Sequence, residues 1–548
     1  MLDEGTPVTT AAPARFGLEA KWKVLISVVF GIFMIILDTT VVNVAFQTLR
    51  REYGATLNDA QWIISVYVLS LGIVTPISGY LADRFGPKRI YTIGLALFAA
   101  SSLACGLAPS LPILIIARAI QGIGGGLAQP LGPAFIYRTF PAKEQGMALG
   151  FFGIALVLAP ALGPIMGGWL VDADLWRWIF FINIPIGIAG YIVSSLWLPV
   201  DTAQRKVKAD PIGIVTASLG FGSVLYASSL VGNYGWTDSS VLTWYAVGVV
   251  SIITWIIVEL FVAEEPMLDL RLFRTPTFTL ANLIGYVSVV ALFGAEFLMP
   301  VYLQALRGYS AYQSGLTLLP LAIAAGFMTP LAGRFFDKIG PRPLITLGFT
   351  ILVINTWQFT QIQADTPINT IMWLLALRGV ALGLTVQTTF ATALSSAPGP
   401  KLARASSLVN GTRFVVQSIG VAILATVLTS TLTAEVKSLQ NQAEEVTTGP
   451  SVPFGLCETP GVAPEDNIPP AAAAKLKDLP ADQAAPAKAA IRAQIQAACD
   501  QNVLGFEAAY LLTFYVGLCA IVFGLFLPGW PGKWEGRSEM QKKASVGH

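Results

Sequence analysis

The sequence predicts an all-α polytopic membrane protein with fourteen transmembrane helices, arranged as two six-helix bundles with a helix pair inserted between them. Three observations point there. Of 548 residues, 54% are hydrophobic and only 12% charged, about half the charged share of a soluble globular chain, so a water-soluble fold is excluded. Apolar runs long enough to cross the hydrocarbon core recur along the chain; about 20 residues suffice as a helix, in which every backbone polar group finds its partner. One charged turn occurs twice at a constant offset. The 51 Gly and 34 Pro also interrupt the apolar mass more than simple anchors need, which suits packed and broken membrane helices.

In chain order the runs are 22–46, 58–82, 89–108, 111–137, 145–171, 177–198, 211–231, 241–263, 276–305, 313–335, 341–361, 368–395, 402–431 and 504–527. The first twenty residues are polar and rich in Pro, Thr and Ala, and the first run is longer than a signal-peptide core, so it reads as a retained helix. Lys and Arg between the runs set the orientation. With the N-terminus inside, the cytoplasmic segments hold 22 basic residues, among them Arg84, Lys88, Arg205, Lys338 and Lys542. The short outer loops hold four: Arg50, Arg51, Arg177 and Arg307. This bias places both termini in the cytoplasm of a multi-pass protein of the cell inner (plasma) membrane. The external segment 433–503 holds Cys457 and Cys499, while Cys105 and Cys519 fall within runs. A disulfide between the loop pair is compatible with that oxidising side. Short helices are expected in this loop near 471–477 and 486–498.

The repeated turn is Gly79-Tyr-Leu-Ala-Asp83-Arg84-Phe85-Gly86-Pro87-Lys88-Arg89, which returns as Gly333-Arg-Phe-Phe-Asp337-Lys338-Ile339-Gly340-Pro341-Arg342. Two halves in the same orientation, spans 1–6 and 9–14, explain the offset if an even number of helices, spans 7 and 8, lies between them. The expected units are a tail 1–20, a first bundle 21–200, a linker with the inserted pair 201–274, a second bundle 275–531 that includes the loop, and a tail 532–548. Six matched positions in two copies argue for a working element, an Asp–Arg charge network that latches one conformation and breaks in another. Its residues are Gly79, Asp83, Arg84, Gly86, Lys88, Arg89, Asp337 and Lys338.

Several chemistries are excluded. The sole histidine is His548, so a metal cage, a Ser/His/Asp triad and an imidazole proton relay have nothing to use. No catalytic or metal site is expected, and the absence of a soluble catalytic domain argues against a membrane enzyme or sensor. A net charge of +2 does not mark a nucleic-acid binder. The run Gly122-Ile-Gly124-Gly125-Gly126 lies inside a membrane helix with no preceding strand, so it is no nucleotide loop. Without ATP or another cofactor, the driving force must be an ion gradient.

Asp38 is the first candidate for carrying a proton, because an acid within a span is costly and usually serves an ion or proton pathway. The alternative is a structural acid paired with Asn or a hydroxyl. Asp38 on span 1 and Arg118 on span 4 both lie about 10–12 Å from the outer ends of their helices, so the spacing lets them pair. A guanidinium favours an ionised carboxylate and desolvation favours a neutral one, so alternate exposure would switch the hold on a proton. Glu296 on span 9 is the second acid. It precedes its copy of the turn by one helical turn less than Asp38 does, which suggests two acids flanking one cavity; a Glu bonded to a neighbour is the alternative. Glu259 and Glu507, near helix ends, read as interfacial. Arg378 and Arg413 lie within spans and must be paired or line water; they either counterbalance Glu296 or contact an anionic substrate group. Asn43, Trp62, Tyr67, Gln121, Tyr302, Gln304, Gln358 and Gln387 are candidate cavity residues by depth and polarity, with aromatic-belt or core roles equally open. On span 5, Ala155, Ala159, Gly163 and Gly167 form a small-residue stripe that lets another helix approach, and Pro160 and Pro164 add bends.

Four motifs together are specific. They are Leu37-Asp38-Thr39-Thr40-Val41-Val42-Asn43-Val44-Ala45, the turn from Gly79 to Arg89, Arg118-Ala-Ile-Gln121-Gly122, and Gly153 through Ala159-Pro160-Ala-Leu-Gly163-Pro164-Ile-Met-Gly167-Gly168. The stretch Trp176-Arg177-Trp178-Ile-Phe-Phe-Ile-Asn183-Ile-Pro185 accompanies them. Over nearly its whole length the chain resembles the major facilitator superfamily, specifically the 14-helix drug:proton antiporter branch of the QacA/EmrB type. One departure stands out: Phe46-Gln47 occupies the place where the family's first motif usually closes with Leu-Pro. The resemblance implies the major facilitator fold, proton coupling or substrate binding at Asp38 and Arg118, and an antiporter motif at Gly153, Pro160, Gly163, Pro164, Gly167 and Gly168 that seals the halves against leak. The expected function is proton-driven export of hydrophobic, cationic small molecules from the bilayer by alternating access. Export of an endogenous lipid or secreted metabolite is the alternative. The sequence leaves the substrate and any periplasmic adaptor protein open.

Overall fold

The computed structural model describes residues 18–200, 210–431, 455–460, 462–463, 466–469, 472–473, 476, 480–531 and 534, with backbone alone at 57–58, 292–297, 400 and 481–482. Most of both tails, the linker basics Arg205, Lys206 and Lys208, most of the first loop helix and the side chain of Glu296 lie outside the described residues.

Among the described residues there is no strand. The helices are α1 (Ala20–Val44), α2 (Phe46–Glu52), α3 (Leu57–Phe85), α4 (Pro87–Gly106), α5 (Leu111–Ala128), α6 (Leu131–Thr139), α7 (Gln145–Asp172), α8 (Trp178–Phe181), α9 (Asn183–Trp197), α10 (Pro211–Tyr234), α11 (Ser239–Ile257), α12 (Pro276–Val301), α13 (Ala311–Ile339), α14 (Pro341–Phe359), α15 (Ile368–Ser395), α16 (Leu402–Ser430) and α17 (Ala481–Leu525). Twelve membrane-crossing candidates, long and apolar enough, stand among the described residues, against the fourteen expected. In α12 the described apolar stretch shortens to Pro276–Ala291, and α14 is diluted by Arg342, Asn355 and Gln358.

Local chemistry explains the breaks. The fourth run divides into α5 and α6 at Gln129-Pro130, where Pro130 has no N–H to continue the ladder. Span 1 ends at Ala45 even though Phe46-Gln47 replaces Leu-Pro. Both copies of the charged turn use one device. Gly86 (φ 97°) and Gly340 (φ 82°) take a backbone conformation that a side chain would strain. Their N–H groups close the preceding helices on Ala82 O and Phe336 O, and Pro87 and Pro341 start the next helices where no N–H is needed.

The helices before α10 pack into one bundle and those from α12 onward into another. Between the halves α7 lies along α13 and α3 along α16, while α10 touches both α3 and α16 and carries α11 on its far side. At the end bearing the charged turns, the turn end, the halves share one core in which Phe135, Tyr137 and Leu149 meet Phe336, Phe390 and Leu408. Each bundle has a further core, around Leu37, Val42 and Ile63 in one and around Phe349, Leu352 and Tyr510 in the other.

Glu259 departs from its interfacial assignment. It is 1% exposed, and one carboxylate oxygen accepts from Trp255 Nε1 at 2.9 Å and Leu268 N at 3.2 Å. A π-helical turn, Val258–Val262, brings it back under the linker. At the opposite end, the loop end, Cys457 and Cys499 are joined by a disulfide. Leu456 and Cys457 donate their N–H groups to Ala305 O and Leu306 O, and Arg307 pairs with Glu458 at 2.8 Å. The loop is thereby stitched to the end of α12 and to α17. The second expected loop helix is the first part of α17, whose 45 residues exceed a single crossing.

Candidate functional site

A buried ion pair lies inside the first bundle. Asp38 is 0% and Arg118 1% exposed, and Arg118 Nη1 meets Asp38 Oδ2 at 2.5 Å. The other carboxylate oxygen accepts from Gln121 Nε2 at 3.0 Å and Asn183 Nδ2 at 2.7 Å. Arg118 spends its remaining contacts locally: Nε donates to Ile63 O at 3.1 Å, Nη1 also reaches Gln121 Oε1 at 2.6 Å, and the guanidinium lies 4.0 Å from the centre of the Tyr67 ring. Gln121 is held in turn by Ser102 Oγ at 2.6 Å. Removing two charges from water is costly, and a buried pair persists only when the remaining lone pairs and N–H groups are satisfied. Five elements supply those partners: α1, α3, α4, α5 and α9. Helix spacing places Arg118 and Gln121 three residues apart on one face of α5, so one turn presents both to Asp38. The cluster is closed within its bundle and does not open between the halves. Two candidate cavity residues, Tyr67 and Gln121, belong to it instead. Asn183 and Ser102 were not singled out in the sequence; Asn183 is the polar residue of the aromatic stretch before Pro185.

The charged turns reach across the halves in a pseudo-symmetric way. Asp83 accepts from Arg404 Nε at 2.7 Å, with Arg138 at 3.9 Å. Its counterpart Asp337 accepts from the backbone N–H groups of Gly146 at 2.8 Å and Met147 at 3.0 Å, the orphan donors in the first turn of α7, where the helix dipole favours an anion. The glycines allow this approach. A β-carbon on Gly79 would stand 2.6 Å from Ala403 O, and one on Gly146 2.6 Å from Gly333 O. Tyr137 Oη to Ala391 O and Ser406 Oγ to Pro130 O, both 2.6 Å, complete the seam. Other members of the motif work nearby: Arg84 donates to Tyr80 Oη at 3.0 Å, Lys88 caps the end of α9 at Leu198 O at 2.9 Å, Arg89 opens α4, and Lys338 is exposed. Arg404 was missed in the sequence. Its second role ties in the inserted pair, since Nη1 donates to Pro266 O at 2.9 Å and the neighbouring Lys401 pairs with Asp269.

The small residues of α7 divide between two neighbours. Gly163 and Gly167 seat α1: a β-carbon on Gly163 would run into Thr40, and one on Gly167 would stand 3.1 Å from Val41 O. The approach to the other half falls to Gly146, Gly150, Gly153 and Gly168, where added β-carbons would meet Gly333, Pro330, Gln387 and Tyr312. Pro160 and Pro164 lie inside an unbroken α7, and Pro164 packs on Gly315.

In the second bundle Arg378, fully buried, donates to Ala291 O at 2.7 Å and Thr356 Oγ1 at 3.2 Å. Arg413 lies 5.1 Å from the Phe390 ring and against Gly285 of α12. Gln387 of α15 is buried against Gly153 of α7. Tyr302 is buried with its hydroxyl on Gln363 O at 2.7 Å, Gln358 is half-buried, Asn43 and Gln304 are exposed, and Trp62 stands at the loop end of α3.

Comparison with known proteins agrees with this architecture. The family profile described as Major Facilitator Superfamily matches residues 28–421. The MFS-type transporter YhcA of Bacillus subtilis is 36% identical over 411 residues, covering 75% of this chain and 77% of its own. The multidrug export protein EmrB of Haemophilus influenzae is 33% identical over 396 residues, covering 71% and 77%. Among solved structures, a bacterial homologue of the human lysosomal transporter Spinster, inward-facing and unoccupied, shares the fold with a TM-score of 0.52 at 16% identity, covering 96% of this chain and 98% of that one. The chain belongs to the major facilitator superfamily and is a multi-pass membrane transporter, not an enzyme.

Proposed function

We propose that the chain is a proton-coupled antiporter that exports hydrophobic, cationic compounds by alternating access, with fourteen crossings, both termini cytoplasmic, and the plasma membrane as its site. The observation that carries the reading is the Asp38 cluster, a carboxylate held among the described residues by an arginine and two amides and with no water-exposed surface. A proton arriving at Asp38 cancels the charge that holds Arg118. The guanidinium is then an uncompensated buried cation, a state costing several kcal/mol, and the cost is relieved when α5 moves against α1. A cation crossing the other way exchanges for that proton, and each charge moved through 100 mV contributes about 2.3 kcal/mol. The turn end is the cytoplasmic gate in this reading. Asp83 and Asp337 hold it shut, so the described conformation is closed towards the cytoplasm. Multidrug export in relatives at about one-third identity supports the cargo class.

The test is proton flux in proteoliposomes carrying an imposed pH gradient. Addition of ethidium, an aromatic monocation, is expected to release protons through the wild-type protein. Proton release on adding a lysolipid or an acidic metabolite, with none on ethidium, would replace the cargo; no coupled flux with any of them would refute proton coupling.

A further inference from the structure

We infer that the inserted helix pair builds a second ligand site, a head-group subsite for aromatic or quaternary-ammonium cations at the loop end between α3 and α10. The cation class rests on the function proposed above; the site itself rests on geometry. Gln61, Trp62 and Ser65 of α3 face Tyr226, Asn233 and Tyr234 of α10 across a cleft of about 110 Å³. The Trp62 and Tyr226 rings lie 5.7 Å apart at 27°, and Trp244 of α11 braces Tyr226 edge-on at 5.1 Å. Asn233 Nδ2 donates to Gln61 Oε1 at 2.8 Å and closes one wall.

Three features make this a site. The lining carries no basic group, and ring faces present negative potential that attracts cations. Trp62 and Tyr234, both in the lining, are 38% and 56% exposed, so part of their ring surface is left uncovered for a ligand. The size also decides: drug-sized ligands fill about 300–1,000 Å³, so this cleft takes one end of such a molecule and leaves the remainder outside.

Its position in the fold gives the site a task. Towards the turn end α3 and α16 meet directly, at Gly79 with Ala403 and at Pro76 with Gly411. Towards the loop end α10 lies against both, with Leu225 over Gly72 on one side and Trp236 Nε1 on Thr426 Oγ1 at 2.8 Å on the other. The inserted pair therefore screens the lateral seam between the halves where they diverge, and the aromatic cleft sits on that screen. A cation held there occupies a waypoint at the mouth of the seam, outside the Asp38 cluster.

The test is equilibrium binding of ethidium to the purified full-length protein, for wild type, Trp62→Ala, Trp62→Phe, Ser229→Trp and Asp38→Asn. Loss of the Trp62 ring is expected to weaken binding about 5- to 30-fold, Trp62→Phe to restore most of it, and Ser229→Trp, at a lining position of α10, to weaken it by filling the cleft. Bound ethidium is further expected to protect Ser229→Cys from maleimide in a Cys519→Ser background; native Cys105 is buried. Wild-type affinity in both Trp62→Ala and Ser229→Trp, or no protection of the cysteine, overturns the subsite. Failure of the antiporter reading has a different signature: no proton flux on ethidium addition, with the loss of binding in Trp62→Ala intact.

Discussion

Asp83→Asn should loosen the turn end without unfolding it. The carboxylate accepts from Arg404 Nε at 2.7 Å, with the side chains 12% and 9% exposed, and Asn keeps the shape while removing the charge. A hydrogen bond to a charged group contributes about 1.5–3 kcal/mol net. Asp337 on Gly146 and Met147 and Tyr137 on Ala391 all remain, so the halves stay associated. At about 1.4 kcal/mol per factor of ten, the balance between closed and open turn ends shifts about 10- to 150-fold towards open. The assay is labelling of Ser406→Cys, a buried seam position, by a membrane-impermeant maleimide from the turn side in a Cys519→Ser background. Asp83→Asn should speed labelling by that factor. Arg404→Gln should speed it more, because the bond to Pro266 O is lost as well, and the double variant should add little to Arg404→Gln. Unchanged labelling in Asp83→Asn, or two fully additive effects, would refute the latch.

Three other outcomes follow from the same geometry. Arg118→Ala leaves the Asp38 charge buried and unpaired, which should cost about 3–5 kcal/mol; thermal unfolding in detergent should show a lowered Tm, partly recovered in Arg118→Ala/Asp38→Asn. Gly163→Leu should insert normally yet fail to transport, since its side chain collides with Thr40 on α1; normal efflux by a correctly inserted protein would contradict that. Reduction of the disulfide between Cys457 and Cys499, 42 residues apart, removes a loop constraint worth about 4 kcal/mol and should make the loop between them protease-sensitive while transport persists, as measured by limited proteolysis alongside ethidium efflux.

What the sequence carried and what it hid divide along physical lines. Depth counting brought Asp38 and Arg118 to one level because helical rise is fixed, and they meet in the structure. The repeated Gly-Pro turn forecast two matching turns because only Gly tolerates φ near 90° and Pro suits the next helix start. Contacts between the halves were not legible. Arg404 reaches Asp83 across 321 residues, and Asp337 binds backbone N–H groups that have no side-chain signature. The α7 stripe was read with one face, yet glycines on two faces serve two partners, α1 and α13. Glu259 looked interfacial from its place near a helix end, and a π-helical turn buries it.

In the proposed antiport cycle, Asp38 is the group that exchanges protons for cargo. The most direct measurement is pH-gradient-driven ethidium transport in proteoliposomes by wild type and Asp38→Asn, with thermal unfolding used to check that the variant is folded. Asn keeps the size of the carboxyl and, like the protonated acid, no longer holds Arg118 by charge, but it can neither take up nor release a proton. Wild type should accumulate the cation in step with the gradient, and Asp38→Asn should bind ethidium while losing gradient-driven transport. Undiminished coupled transport by the variant would contradict the account.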